Sequence, residues 1–145
     1  MLVENRNALN VEVVRRSYRM LEDLREERDG GVEHQLRELV DERFELHLPP
    51  TYPEGAHVFR GHDGLKRWVA KTREVWGEWR FELERYLNAG DRVVGLVHVV
   101  ARGGLSGVPL ERDTAHVWTL ADGRVTRCEV YLDRSEALEA LGLQD

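Results

Sequence analysis

Apolar residues recur at three- and four-residue spacing through the first part of the chain, which is typical of amphipathic helices. This pattern predicts a first helix over about residues 10–28, with Asn10 as its N-terminal cap. It also predicts a shorter helix over 32–40 and a third helix over about 62–76. The segment RFELHL (43–48) alternates instead, and it predicts a strand that stops at the two prolines that follow.

From Trp79 onward, apolar and polar residues alternate along four long segments, which is the period of β-strands. In chain order these segments are WRFELERYL, RVVGLVHVVARG, VPLERDTAHVWTL and VTRCEVYLDR. The stretches between them, NAGD, GGLSG and ADGR, have the composition of turns and predict an antiparallel meander. After the last strand, Ser135 is expected to cap a short terminal helix, EALEALGL.

The turn between the last two strands leaves two pairings open. A two-residue Asp-Gly turn would place Glu129 opposite His116. A three-residue loop with Gly123 left-handed would instead put Val130 and Leu132 on the face that carries His116. We favour the longer loop because it gives that face an apolar lining.

Helices that precede a run of antiparallel strands predict the α+β class, with the helices packed on one face of the sheet. Long neighbouring strands in a small domain twist and curl, so we expect a cone-shaped cavity beneath the helices. A chain of 145 residues is long enough for one domain with a substantial core.

Composition narrows the class of partner. The net charge is −6 and no basic patch follows one element, which argues against nucleic acid as a partner. The longest apolar runs are too short to span a bilayer, and the N-terminus has no pattern of a signal peptide, so we expect a cytoplasmic protein without a membrane partner. The single cysteine, Cys128, lies in an apolar strand and is expected to be a buried thiol.

Four segments resemble the nuclear transport factor 2-like superfamily and, within it, the SnoaL-like polyketide cyclase group. They are FRGHDGLKRWV, NAGDRVVGLVHV, SGVPLERDTAHVWTLADGRVTR and VYLDRSEALEALGL. The resemblance covers about residues 10–143 and implies a single SnoaL-like domain over 1–145. It implies a curled antiparallel sheet with the N-terminal helices across its concave face, and a homodimer formed through the outer sheet face.

The resemblance to the ketosteroid isomerases within this superfamily implies two hydrogen-bond donors for a substrate oxyanion. Tyr18 matches a tyrosine of the first helix, and His116 falls where those enzymes have a protonated aspartate. Their general base is an aspartate just before a proline, at the position of Leu48 in this chain. Without that carboxylate, abstraction of a proton next to a carbonyl has no evident base, so an isomerase of that type is disfavoured.

The resemblance to limonene epoxide hydrolase concerns the same cavity. The hydrolase's arginine and first aspartate map near His98 and Val100, and its second aspartate maps near Val130, so neither carboxylate is present. The positions that bind its water correspond to about Glu45 and His47. Polyketide cyclases use an acidic residue in this cavity, for which Asp133 and Glu45 are the candidates here.

The residues themselves leave a functional and a purely structural interpretation open. His98 and His116 lie on neighbouring predicted strands and could reach one cavity as acid, base or donor, or each could be a core histidine held by one neighbour. Tyr18 is either a pocket hydroxyl or a core tyrosine. The candidate substrate contacts are Glu45, His47, Trp68, Val100, Trp118, Val130 and Leu132. No histidine, cysteine or carboxylate spacing is typical of a metal site, and no cofactor is expected.

The predicted function is that of a SnoaL-like protein that binds a small, largely apolar molecule in its cone. One hypothesis is a cofactor-independent cyclase, isomerase or hydrolase, with Tyr18 and His116 stabilising an oxyanion and His98 or His47 moving the proton. The alternative is a ligand-binding or dimerisation module without turnover. The absent carboxylates favour the second hypothesis, whereas the three polar groups Tyr18, His98 and His116 favour the first.

Overall fold

The computed structural model describes residues 3–26, 31–50, 58–103 and 109–143. Four helices lie within these residues: α1 Val3–Arg25, α2 Val32–Leu39, α3 Gly61–Val75 and α4 Arg134–Leu141. The first helix begins well before the predicted start, so Asn10 is a buried residue inside it and not its cap. The prediction that Ser135 caps α4 is also wrong. The N-cap is Asp133, whose carboxylate accepts a hydrogen bond from the backbone N–H of Ser135.

Six strands form one sheet with the order β2-β1-β6-β5-β4-β3. Their bounds are β1 Val40–His47, β2 Val58–Arg60, β3 Trp76–Ala89, β4 Arg92–Gly103, β5 Pro109–Ala121 and β6 Arg124–Tyr131. The four long strands are the predicted antiparallel meander, while the predicted turn GGLSG falls largely outside the described residues. Strand β2 was not predicted, and β1 pairs parallel with β6 through Leu46 and Cys128.

The two faces of the sheet are buried against different helices. On the inner face, alternate residues of β4 such as Val93, Val97 and Val99 join the main core, to which α1, α2 and α3 contribute. On the outer face, Val94 and Leu96 belong to a smaller cluster that α4 covers. This separation follows from the two-residue period of a strand, and it confirms the α+β class with N-terminal helices packed on one face.

The turn from β5 to β6 combines parts of the two predicted alternatives. Asp122 and Gly123 form a two-residue turn with positive φ values of 51° and 78°, so the predicted three-residue loop is wrong. The register nevertheless shifts after Thr119, and this irregularity places Val130, not Glu129, opposite His116. The face that carries His116 is therefore apolar, as predicted, but for a different reason.

None of the helices in the described part of the chain combines the length and apolar character needed to cross a bilayer.

Candidate functional site

Tyr18, His116 and Trp118 form a hydrogen-bonded group at the centre of the main core. Tyr18 comes from the buried side of α1, and the other two lie two residues apart on the inner face of β5. The indole N–H of Trp118 donates to the Tyr18 hydroxyl over 2.9 Å, and the same oxygen lies 2.8 Å from Nδ1 of His116. The structure thus brings together two of the three predicted catalytic residues and one predicted substrate contact.

The surroundings of the group determine where its protons lie. Burial lowers the pKa of His116 to about 4, so the imidazole is neutral at neutral pH, and burial raises the pKa of Tyr18 well above its ordinary value. Among the described residues, Nδ1 of His116 is the one acceptor within hydrogen-bond distance of the Tyr18 hydroxyl, so we assign the hydroxyl proton to it, which leaves the imidazole hydrogen on Nε2. Both the oxygen and the proton of this hydroxyl are then engaged within the protein.

Gly95 makes room for the Tyr18 hydroxyl. It lies opposite His116 on the neighbouring strand β4, and a Cβ added there would come within 2.6 Å of the hydroxyl oxygen. A Cβ atom does not pack this close to another heavy atom in folded proteins, so any larger residue at position 95 would displace the Tyr18 side chain. Gly95 is not among the predicted site residues, although a glycine inside a strongly apolar strand is a recognised sign of close approach.

Aromatic rings surround the hydrogen-bonded group and continue to the edge of the sheet. The Phe81 ring packs edge-on against Tyr18 and His116, with centroids 5.8 Å and 5.0 Å away. Trp79 follows at 4.4 Å from Phe81, and Trp68 of α3 packs on Trp79 at 5.3 Å. Edge-to-face contacts of this kind stabilise the rings in fixed orientations.

A pocket of about 470 Å³ lies between α1 and the edge strand β3. Its apolar walls are formed mainly by aromatic rings, those of Tyr18, Trp79, Phe81 and Tyr86, together with Leu83. Tyr18 therefore separates the pocket from His116, which lies behind it and does not line the cavity. We refer to this cavity as the aromatic pocket.

His98 does not share this cavity, and the prediction that it would do so is wrong. It lies on the outer face of β4, where Nδ1 is 2.7 Å from Asp113 and Nε2 is 3.3 Å from Glu111. The hydrogen bond to Asp113 makes the largest contribution to raising the pKa of His98, and Glu111 also raises it. Val100 lies two residues further along the same face, so it does not reach the aromatic pocket either.

Glu45 and His47 also lie outside the main core. Their side chains project from β1 on the side opposite Phe44 and Leu46, and His47 Nε2 is 2.9 Å from Glu45 Oε1. Arg60 of β2 donates to the second oxygen of Glu45 over 3.3 Å. The position of the isomerase base is Leu48, which is buried and apolar, and no carboxylate is buried among the residues that the structure describes.

The remaining predicted contacts are divided between two places. Trp68 and Trp118 are core residues near the aromatic pocket but are not part of its lining. Val130, Leu132 and His47 line a separate, open groove of about 550 Å³, which also includes Asp133. Among the described residues, no group of three or more histidine, cysteine, aspartate or glutamate side chains is arranged to hold a metal ion. Cys128 is buried, as predicted.

A model of the SnoaL-like domain family matches residues 14–128 of the chain. Among solved structures, TerC co-crystallised with polyporic acid is 29% identical, with a TM-score of 0.69 over 92% of this chain and 97% of that chain. A protein named as a SnoaL-like polyketide cyclase from Jannaschia sp. CCS1 is 19% identical, with a TM-score of 0.69 over 96% and 95% of the two chains.

An NTF2-like protein from Burkholderia xenovorans LB400 is 21% identical, with a TM-score of 0.72 over 93% of this chain and 97% of that chain. These similarities confirm the predicted cone-shaped α+β fold. No curated protein sequence matches the chain significantly.

Proposed function

The chain belongs to the SnoaL-like domain family, and on this premise we propose that it binds a small, largely apolar molecule in the aromatic pocket. The single observation that carries the proposal is a cavity of about 470 Å³ that four aromatic rings and two leucines line, with charged side chains at its opening. Ligand pockets typically enclose about 300–1,000 Å³ and are lined by apolar and aromatic side chains with a few polar groups. The binding of polyporic acid by the similar protein TerC supports a ligand of this general kind.

In this proposal, the hydrogen-bonded group of Tyr18, His116 and Trp118 holds the wall of the pocket in place. The Tyr18 ring lines the cavity while its hydroxyl is bonded to two partners, so the side chain cannot change to another χ1 rotamer without breaking both bonds. Fixed rings bind a flat ligand without a loss of side-chain freedom. The cytoplasmic location expected from the sequence is part of this proposal.

Acid–base turnover is the second candidate, and the position of Tyr18 at the wall of the pocket favours it. If His116 carried its hydrogen on Nδ1, both it and Trp118 would donate to the Tyr18 oxygen, and the hydroxyl proton would be free for a ligand oxyanion. The bases expected from the sequence are not in this pocket, because Leu48 is apolar and His47 and His98 lie elsewhere. The carboxylates that do line it, Glu22 and Glu26, are exposed on α1. We therefore rank ligand binding above turnover.

The test of binding uses N-phenyl-1-naphthylamine, a neutral probe whose fluorescence rises in apolar surroundings. The wild-type protein should brighten the probe, and Leu83→Trp should abolish the effect by filling the aromatic pocket. Leu87→Trp is the matched control, since Leu87 lies on the same strand but belongs to the outer cluster.

Thermal unfolding of both variants checks that they are folded. Equal brightening by the wild-type protein and a folded Leu83→Trp variant would exclude the aromatic pocket as the binding site. A variant that does not fold is replaced by Glu22→Trp, which narrows the pocket from the exposed surface of α1.

A further inference from the structure

Four arginines line the opening of the aromatic pocket, Arg15, Arg19, Arg25 and Arg80, together with Glu22 and Glu26. Two of the arginines already have carboxylate partners, because Arg15 pairs with Glu12 over 2.8 Å and Arg80 pairs with Glu82 over 3.2 Å. Among the described residues, Arg19 and Arg25 make no ion pair with a carboxylate. These two are therefore the cations of the opening that an anionic ligand can use.

Two of these arginines are held against the aromatic walls. The guanidinium carbon of Arg25 lies 5.1 Å from the centre of the Trp79 ring, and that of Arg15 lies 6.0 Å from the centre of the Tyr86 ring. A guanidinium at this distance from a ring is attracted to its electron-rich face. Arg25 and Arg15 therefore place positive charge beside aromatic rings that line the pocket.

Arg25 is further fixed by hydrogen bonds that connect α1 to the end of α3. It donates to Thr72 Oγ1 over 3.2 Å and to the carbonyl of Trp76 over 3.0 Å. These bonds use two of the five N–H donors of a guanidinium, so donors are left for a ligand. Burial, and then the charge of Arg73, lower the pKa of Arg25, so an anion placed beside it would relieve an unfavourable environment.

Arg19 lies between these two on the same side of the helix. Residues 15, 19, 22 and 26 follow three- and four-residue spacing, so their side chains form one row along the pocket. Arg19 is exposed and, within the described part of the chain, makes no ion pair with a carboxylate. It is thus the arginine of the opening most available to a bound anion.

From these contacts we infer that the ligand of the aromatic pocket is a planar aromatic anion, of the aromatic carboxylate or phenolate class. Its ring lies against the walls formed by Trp79, Phe81 and Tyr86. Its charged oxygens accept hydrogen bonds from Arg19 and Arg25. Guanidinium groups suit such a ligand because they both stack on aromatic rings and bind carboxylates. The inference rests on the proposed function and adds the charge and shape of the ligand to it.

Three naphthalene derivatives of nearly equal size test the charge directly by isothermal titration calorimetry at neutral pH. They are 1-naphthoate, which is an anion, 1-naphthamide, which is neutral, and 1-naphthylmethylammonium, which is a cation. We expect 1-naphthoate to bind about tenfold more tightly than the amide, as for one added charge-assisted hydrogen bond. The cation should bind more weakly than the amide.

Arg19→Gln should remove most of the preference for 1-naphthoate and leave affinity for 1-naphthamide unchanged. Arg16→Gln is the matched control, because it removes the same charge from the same helix at a position that pairs with Glu38 and does not line the pocket. Arg25 is not substituted because its bonds hold α1 to α3. An equal loss in both variants would attribute the preference to overall charge and would overturn the inference.

The outcomes separate this inference from the proposed function. Equal affinity for the anion and the amide, with both blocked by Leu83→Trp, overturns the inference and leaves ligand binding in place. If neither 1-naphthoate nor 1-naphthamide binds while N-phenyl-1-naphthylamine does, the inference is overturned and the proposed function is retained. If none of these compounds binds the folded wild-type protein, the proposed function fails as well.

Discussion

At the scale of single residues, His116 and His98 lie in different environments, and the environment determines the protonation of each ring. A histidine in the middle of a strand can be an acid, a base or a packed ring, and burial favours the packed, neutral form because it disfavours the charged imidazolium. His98 shows the opposite case, since it lies near the surface between two carboxylates that stabilise its charged form. Two histidines on neighbouring strands thus have opposite shifts in pKa.

The low pKa of His116 predicts a specific sensitivity to acid. Its folded pKa of about 4 lies below the unfolded value of about 6.5, so the unfolded state binds a proton first and stability falls as the pH drops from 6.5 towards 4. Between pH 7.5 and 5 this group alone should cost roughly 2 kcal/mol. His116→Phe removes that loss but leaves the Tyr18 hydroxyl proton without an acceptor, which costs about 1–3 kcal/mol at any pH.

Urea unfolding at pH 7.5 and at pH 5 checks this prediction. The difference in unfolding free energy between wild type and His116→Phe should narrow on acidification, and His34→Gln serves as the surface-histidine control. Nitrogen-15 NMR of His116 adds the position of the hydrogen. Hydrogen on Nε2 fits the assignment made above, whereas hydrogen on Nδ1 would favour the turnover candidate.

At the scale of elements, the close approach of α1 to β4 depends on one missing side chain. Gly95 lets the Tyr18 hydroxyl come within hydrogen-bond distance of β5, across the surface of β4. The helix is therefore held to the sheet by a polar contact and not only by apolar packing. Substitution of Gly95 or of Tyr18 should therefore lower the free energy of unfolding through the same contact.

A double-mutant cycle measures this dependence. Gly95→Ala places a methyl group 2.6 Å from the hydroxyl and should cost about 1–3 kcal/mol of unfolding free energy. Tyr18→Phe removes the partner of His116 and Trp118, at about 1–3 kcal/mol for each unsatisfied group.

The double variant should be more stable than the sum of the single changes predicts, by about 1 kcal/mol, because the methyl group then replaces the oxygen it would displace. Tyr131→Phe, on the outer cluster, is the control and should add independently to Gly95→Ala. If the changes in unfolding free energy of Gly95→Ala and Tyr18→Phe were fully additive, the close approach of Gly95 to the Tyr18 hydroxyl would not contribute to stability.

Hydrophobic periodicity was enough to predict most elements of this fold, because the α1 and α3 helices and the long strands each bury one side. It could not predict which sheet face carries a given histidine, since this depends on the pairing of β4 with β5. That pairing places Gly95 opposite His116 and Asp113 opposite His98, and so assigns the two histidines to opposite faces. The aromatic pocket was also not predicted, because Arg25 and Trp79 meet only when α1 packs against β3.

At the scale of the whole molecule, the outer sheet face is only partly covered. Helix α4 packs over the cluster of Val94 and Leu96, and Arg134 at its start binds the Thr114 carbonyl and Glu84. Beyond the helix, the half-buried Val100 lies among charged residues of both signs. The homodimer expected from the sequence would use this uncovered region, and it stays a prediction.

Sedimentation velocity tests the homodimer. We expect the wild-type protein to sediment as a dimer and Val100→Arg to sediment as a monomer, because a long cation on this face would separate the two copies. Val75→Arg is the control, since it makes the same substitution at an exposed valine of α3. If the wild-type protein sedimented as a monomer, the prediction of a homodimer would be wrong.

The hydrogen-bonded group has a consequence for how the chain reaches its structure. Tyr18 is 98 residues from His116 and 100 residues from Trp118, and β1 must also find β6 near the other end of the chain. Contacts of such high sequence separation form slowly, because a large loop must be closed before they stabilise anything. The first helix and the first strand are synthesised early, whereas β5 and β6 follow much later in the chain. Tyr18 therefore reaches its two hydrogen-bond partners only after β5 has been synthesised, although α2, α3 and β3 can pack on α1 before then.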